Sequence, residues 1–214
     1  MEQQPNFTSE NKEKELKHYE KIIVSPGYPS KNDPSGLWKD TKMRLVFTAL
    51  LFKSGRTDKI VVGGGMLHKM PVPFAELMKA HLIKLGVPEN VVETEQDTYD
   101  TASQIEYIKN KLRDTKGNMG FLTDSAQAMY VKELLPRFEL EEKLDILTIE
   151  NVVNDLNKKN LLIPMLESFH NSIYWQAWWS EREMLLTALA RIDPKGKFVE
   201  KIAKLWRNPR KTRK

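Results

Sequence analysis

Acidic side chains gather in this chain's polar stretches, each directly after an apolar run. Glu95, Asp97 and Asp100 stand in one such stretch, Asp124 stands in another, and Glu76 follows the glycines Gly63, Gly64 and Gly65. Carboxylates on converging loops, with Arg44 nearby, can grip a polar ligand or share acid–base work; Glu76, Glu95 and Asp124 are the candidates for that work. Acids in the first turn of a helix also complement its dipole, which accounts for Glu76 and Asp100 equally well. The sequence leaves both readings open.

The run Gly63-Gly64-Gly65 follows an apolar strand, so it serves either a close backbone approach to a ligand or a tight turn. It is neither a dinucleotide fingerprint, since G-x-G-x-x-G is missing, nor a P-loop, since no Gly-Lys-Ser/Thr follows. The histidines, His18, His68, His81 and His170, have no paired metal-ligand spacing, so no metal site is predicted. His68 sits in a strand-end loop as a candidate ligand contact, and His81 falls in a helix stripe as a structural residue. No G-x-S-x-G elbow surrounds Ser125, which reads as a helix cap rather than a nucleophile. The chain has no cysteine. That excludes disulfides, thiolate metal sites and a cysteine nucleophile, and it fits a reducing compartment.

Alternating strands and helices must position these residues. Apolar runs predict strands at Lys21–Ser25, Lys59–Val62, Asn90–Glu93, Met119–Leu122 and Leu144–Ile149. Helices are predicted from about Trp38 to Ser54, with Leu45, Val46, Ala49, Leu50 and Lys53 at helical spacing, and over Phe74–Leu85, opened by Pro73. A third is capped by Thr98 or Asp100 and carries Ala102, Ile105, Ile108 and Leu112; a fourth follows Thr123-Asp124-Ser125 and carries Met129, Val131, Leu134 and Leu135. This alternation predicts an α/β fold, Rossmann-like and doubly wound, with a mainly parallel five-stranded sheet. After Glu150 the pattern changes to a tryptophan-rich helix over Phe169–Ile192 and a last helix over Phe198–Trp206. Tryptophans at helical spacing are read as packing, so residues 151–206 form a helical appendage on a domain spanning 18–150.

A length of 214 residues suits one α/β domain with an appendage, and 40% hydrophobic with 29% charged residues is ordinary for a globular chain. Residues 1–17 are polar and read as disordered or loosely helical, without a secretory h-region. No stretch approaches the ~20 apolar residues that span a bilayer, so a cytoplasmic location is expected. The formal net charge is +5, and Arg207, Arg210, Lys211, Arg213 and Lys214 in the tail account for that excess. The favoured reading of Arg207–Lys214 is a solvated, disordered tail; a nucleic-acid partner is open only through it, and oligomeric state is left open.

The order of motifs resembles that of the YdcF/SanA/ElyC-like family, a bacterial domain of Rossmann-like topology. The opening strand and glycine turn are matched by Ile22–Gly27, and the following arginine-leucine pair by Arg44-Leu45. A lysine-x-glycine helix end and a glycine-ending strand are matched by Lys53-Ser54-Gly55 and Ile60–Gly65. A glutamate-bearing helix and Gly-Val-Pro correspond to Glu76 and Gly86-Val87-Pro88. The family's glutamate, serine and threonine at three-residue steps correspond to Glu95, Thr98 and Thr101, with threonine in the serine's place. The resemblance covers about Lys21 to Leu135. After the fourth strand the chain departs from it: Gln127 stands where the family has histidine, and Tyr130 or Lys132 where it has arginine. A family reaction relying on that histidine would be lost or altered, and the N-terminal membrane anchor of many relatives is not expected here.

Together these readings predict a domain that binds a small polar or anionic ligand at the carboxyl ends of its strands. The resemblance implies a nucleotide or an S-adenosylmethionine-like molecule. Ser25 and Gly27, Gly63–Gly65, Glu95–Thr101 and Thr123–Ser125 all follow strands and would line one crevice. In this expectation the glycine-loop amides hold an anionic group, Arg44 neutralises charge, and Glu95, Thr98 and Thr101 fix hydroxyls or amines. One alternative is a hydrolase or transferase acting on a phosphorylated or glycan-derived substrate. Another is a scaffold or nucleic-acid-associated protein working through its tail.

Overall fold

A computed structural model of the chain describes residues 17–27, 29–30, 32–66, 70–112 and 115–156, with 164, 167 and 188 as isolated positions. The expectations for residues 1–16, His68, His170, the tryptophan-rich helix, the last helix and the basic tail lie outside the described residues.

The strands are β1 (Tyr19–Val24), β2 (Thr57–Gly63), β3 (Val92–Glu95), β4 (Met119–Thr123) and β5 (Leu144–Thr148). They pair in parallel throughout, in the order β3-β2-β1-β4-β5. This is the doubly wound α/β fold that the alternation predicts. β1 lies at the centre, with Val24 opposite Val62 on one side and Leu122 on the other. A strand covered on both faces needs apolar side chains in both directions, which is why Ile22, Ile23 and Val24 run without alternation.

Ile22 and Val24 face α1 (Lys39–Lys53), α2 (Phe74–Lys84) and α5 (Ile149–Asp155), in a core with Phe47, Ile60, Val62, Phe74, Met78 and Val152. Ile23 faces the other way, toward α3 (Thr101–Leu112) and α4 (Ser125–Phe138), in a core with Val61, Ile105, Phe121, Val131 and Leu134. Burying each such side chain contributes roughly 1.5–3 kcal/mol, so the three layers are held mainly by these clusters.

Several boundaries differ from the sequence reading. Asn90 belongs to a 3-10 turn, Glu89–Val91, and β3 begins at Val92, so Glu95 closes the strand opposite Gly63 instead of opening the loop. In α1 the buried residues are Asp40, Thr41, Arg44, Leu45, Phe47, Thr48, Ala49 and Leu51, because the helix touches α2 and α5 as well as the sheet. In α4, Met129 points outward, while Ala128, Tyr130, Val131, Leu134 and Leu135 point in. α5 follows β5 directly and buries Ile149, Val152 and Val153 in the first core, so the α/β unit runs past residue 150. No helix among the described residues is long and apolar enough to cross a membrane.

Candidate functional site

The sheet order reverses between β1 and β4, and in open parallel sheets the ligand crevice lies at that reversal, outside the carboxyl ends. At that point α1 delivers Arg44 into the interior. Its guanidinium is fully buried, donating from Nη1 to the carbonyls of Ser25 at 3.0 Å and Pro26 at 3.1 Å, and from Nη2 to Asp124 Oδ2. One turn earlier on the same helix, Asp40 places Oδ2 3.7 Å from Arg44 Nη2. Two buried carboxylates therefore flank one buried guanidinium.

Asp124 is fixed by a second role. It is the N-cap of α4, its Oδ1 accepting from Gln127 N at 2.8 Å. Asp40 has no such tie: no side chain hydrogen-bonds its buried oxygens, which have only weak backbone N–H contacts from Asp40 and Thr41 in their own helix turn, and the buried hydroxyl of Thr41 is without a partner. Burial pushes the Asp40 carboxyl above its ordinary value, and Arg44 offsets this only in part. Both side chains press against the strand-end loop at Gly27. A Cβ there would lie 2.1 Å from Thr41 Oγ1 and 2.6 Å from Asp40 Oδ2.

Gln127 ties the reversal together. Its Oε1 accepts from Ser25 Oγ at 2.8 Å and from Thr123 Oγ1 at 2.7 Å, while its Nε2 donates to Thr101 Oγ1 at 3.0 Å. The end of β1, the end of β4 and the start of α3 are thus joined through one amide. A glutamine suits this junction because it offers an acceptor and a donor at once without titrating.

The carboxyl ends of β2 and β3 are built differently. Glu95 is buried, and its carboxylate accepts from Asp97 N at 2.5 Å, Thr98 N at 3.0 Å and the Thr98 hydroxyl. Gly64 N donates to Glu95 O and Gly65 N to Thr98 O, both at 2.9 Å. Ala75 N and Phe74 N return to Gly64 O at 2.9 Å and Gly65 O at 3.1 Å, stitching the glycines to the start of α2. A Cβ on Gly65 would meet Gln96 O at 2.5 Å, and one on Gly63 would meet Gln104 Nε2 at 2.7 Å. The close approach that these glycines permit is to the protein's own chain.

The predicted site residues therefore divide. Ser25, Gly27, Arg44, Thr101, Thr123 and Asp124 come together around the β1–β4 reversal. The amides of Gly64 and Gly65, expected to hold an anion, are engaged by carbonyls. Arg44, expected to neutralise a ligand's charge, already faces Asp124 and Asp40. Glu95 and Thr98 bind each other. Asp100, not Thr98, caps α3: its Oδ1 accepts from Ser103 N at 2.7 Å, and Ser103 Oγ accepts from Asp100 N at 3.2 Å, a reciprocal capping arrangement. Ser125 is the first residue of α4 and not its cap; its hydroxyl donates to Glu150 Oε1 at 2.8 Å. Glu76 accepts from Gln96 Nε2 at 2.6 Å on the exposed side of the loop.

Sequence reasoning missed Asp40, Thr41 and Gln104. Gln104 is buried on α3, donating to Val24 O at 3.3 Å while its Oε1 has no partner. The available signal for Asp40 was its four-residue spacing from Arg44 within a helix.

No protein-family model matches the chain, and no curated protein or solved structure matches it either.

Proposed function

We propose that this chain is a YdcF/SanA/ElyC-like Rossmann domain that binds a small polar ligand, a nucleotide or S-adenosylmethionine-like molecule, outside the carboxyl ends of β1 and β4. One observation carries the reading. At the β1–β4 reversal of the sheet, the fold leaves Asp40 and Thr41 buried with oxygens that accept no well-formed hydrogen bond. A buried polar group without a partner costs about 1–3 kcal/mol, a cost that a bound ligand removes. Gln127 stands where the resembled family has histidine and makes a structural junction there, which favours binding over proton transfer. The lack of cysteine suits such a domain to a reducing, cytoplasmic setting.

The hydrolase or transferase reading draws less support, because Glu95 and Asp124 are engaged within the chain and Glu76 pairs with Gln96. A thermal-shift screen with adenosine, adenosine 5′-monophosphate and S-adenosylmethionine tests the proposal. A bound compound at a hundred times its Kd adds about 2.7 kcal/mol to stability. An unmoved transition with all three compounds removes the reading.

A further inference from the structure

The hydrogen-bonding groups near the β1–β4 reversal are not equally engaged. On the donor side, Arg44 Nη1 is held by Ser25 O and Pro26 O, and Nη2 by Asp124. The Ser25 and Thr123 hydroxyls both donate to Gln127, and the Gln127 amide donates to Thr101. In the adjoining β2–β3 half, the Gly64 and Gly65 amides are held by Glu95 O and Thr98 O. The atoms that remain are mostly acceptors: both carboxylate oxygens of Asp40, the hydroxyl oxygen of Thr41 and, on the opposite face, Gln104 Oε1. An anion would find Arg44 Nη1 and Nη2 and the Gly64 and Gly65 amides engaged, and Asp40 repelling it. A ligand that brings donors would complete the groups left over.

Resting on the binding reading above, we propose that the site recognises its ligand through hydrogen-bond donors, hydroxyls or a primary ammonium, held by Asp40 and Thr41 beside Gly27, and not through a phosphate or carboxylate. Asp40 supplies two acceptor oxygens, enough to take paired hydroxyls or two protons of an ammonium. Thr41 supplies a hydroxyl that can accept alongside it. Gly27 is only half-buried and lies directly on both side chains, so they sit one residue below the surface of the strand-end loop. Their oxygens are buried, and Gly27 covers them with backbone alone, so no side chain at that position stands between them and the loop surface. Arg44 Nη2 lies 3.7 Å from Asp40 Oδ2 while Nη1 and Nη2 are engaged by Ser25 O, Pro26 O and Asp124, which orients the carboxylate from behind.

Calorimetric titration of the full chain with adenosine, adenosine 5′-monophosphate, 2′,3′-dideoxyadenosine and methionine tests this, with inorganic phosphate as competitor. Adenosine and its monophosphate should bind within about threefold of each other, with phosphate displacing neither. Loss of binding in the dideoxy compound assigns hydroxyls as the donors; binding of methionine assigns the ammonium. In either case Asp40→Asn should weaken the bound probe about tenfold or more, since it removes a charged acceptor. Thr41→Val, which keeps the side-chain shape, should weaken it less and guards against a folding defect in the first variant. Monophosphate binding that adenosine cannot match, or affinity unchanged in both variants, overturns the inference while leaving the binding reading in place. Silence from every probe, matched by silence in the thermal screen, overturns both.

Discussion

The two halves of the sheet's carboxyl edge use similar residues to opposite ends. At β2 and β3, a glycine run and a buried glutamate close on each other: amides meet carbonyls, and Glu95 gathers the turn that follows it. At β1 and β4, a buried arginine and two aspartates form a cluster that stays incomplete, with Asp40 and Thr41 unsatisfied beside a half-buried loop. Glycine and acid at a strand end do not by themselves make a site. What separates the halves is whether the chain supplies the partners of its buried acid: among the described residues Glu95 is satisfied by the turn that follows it, and Asp40 is not satisfied in this way.

The largest effect should come from Arg44→Met. It leaves Asp124 and Asp40 buried without their cation and removes the donors to Ser25 O and Pro26 O, a loss of about 3–5 kcal/mol in urea denaturation. A loss below about 1 kcal/mol would mean that the cluster is solvated and the contrast drawn above is wrong. Gly64→Ala probes the other half. Gly64 has φ of 136° and a Cβ there would lie 3.0 Å from Phe74 Cβ, so the substitution should cost roughly 1–3 kcal/mol and leave ligand affinity unchanged. Intact stability with abolished ligand binding would reverse the assignment of the two halves.

The sheet and its winding were legible because buried parallel strands write themselves as unbroken apolar runs, as Ile22–Val24 and Ile60–Val62 do. Boundaries set by hydrogen bonding were less so. Glu95 reads as a loop residue because it is charged, yet it ends β3 because its carboxylate is satisfied by the turn it organises. The partners of a guanidinium are a matter of three dimensions: Arg44 and Asp124 are far apart in sequence and meet only because β1 and β4 are neighbours. Asp40 was hidden for another reason. An acid at the start of a helix has a sufficient explanation in the helix dipole, and nothing in sequence reveals that its oxygens are buried.

Gln127→Leu sharpens the comparison from the junction between α3, β1 and β4. It strands the Ser25 and Thr123 hydroxyls and the Thr101 oxygen, for an expected loss of about 1–3 kcal/mol. Gln127→His can keep an acceptor and a donor and should recover part of that stability. If leucine and histidine destabilise equally, the amide is not the joint it is taken to be, and packing alone holds the reversal.

The smallest effect is a slope. Burial raises the folded-state pKa of Asp40 above its ordinary value of 3.8, with Arg44 opposing and Asp124 adding to the rise. Above 3.8 the folded chain then binds more protons at this position than the unfolded chain, so stability falls as pH rises through the folded pKa and is greatest below the unfolded one. Asp40→Asn removes that dependence. The variant should gain on the parent as pH rises from about 4 to about 8, read as denaturation midpoints at matched ionic strength. Arg44, Asp124 and Thr41 surround the group and are present in both proteins, so the difference between the curves isolates Asp40. A donor ligand should shrink that difference, because a satisfied carboxylate no longer resists its charge. Parallel curves without ligand would mean that Asp40 is already solvated, and the β1–β4 half would then be as complete as its neighbour.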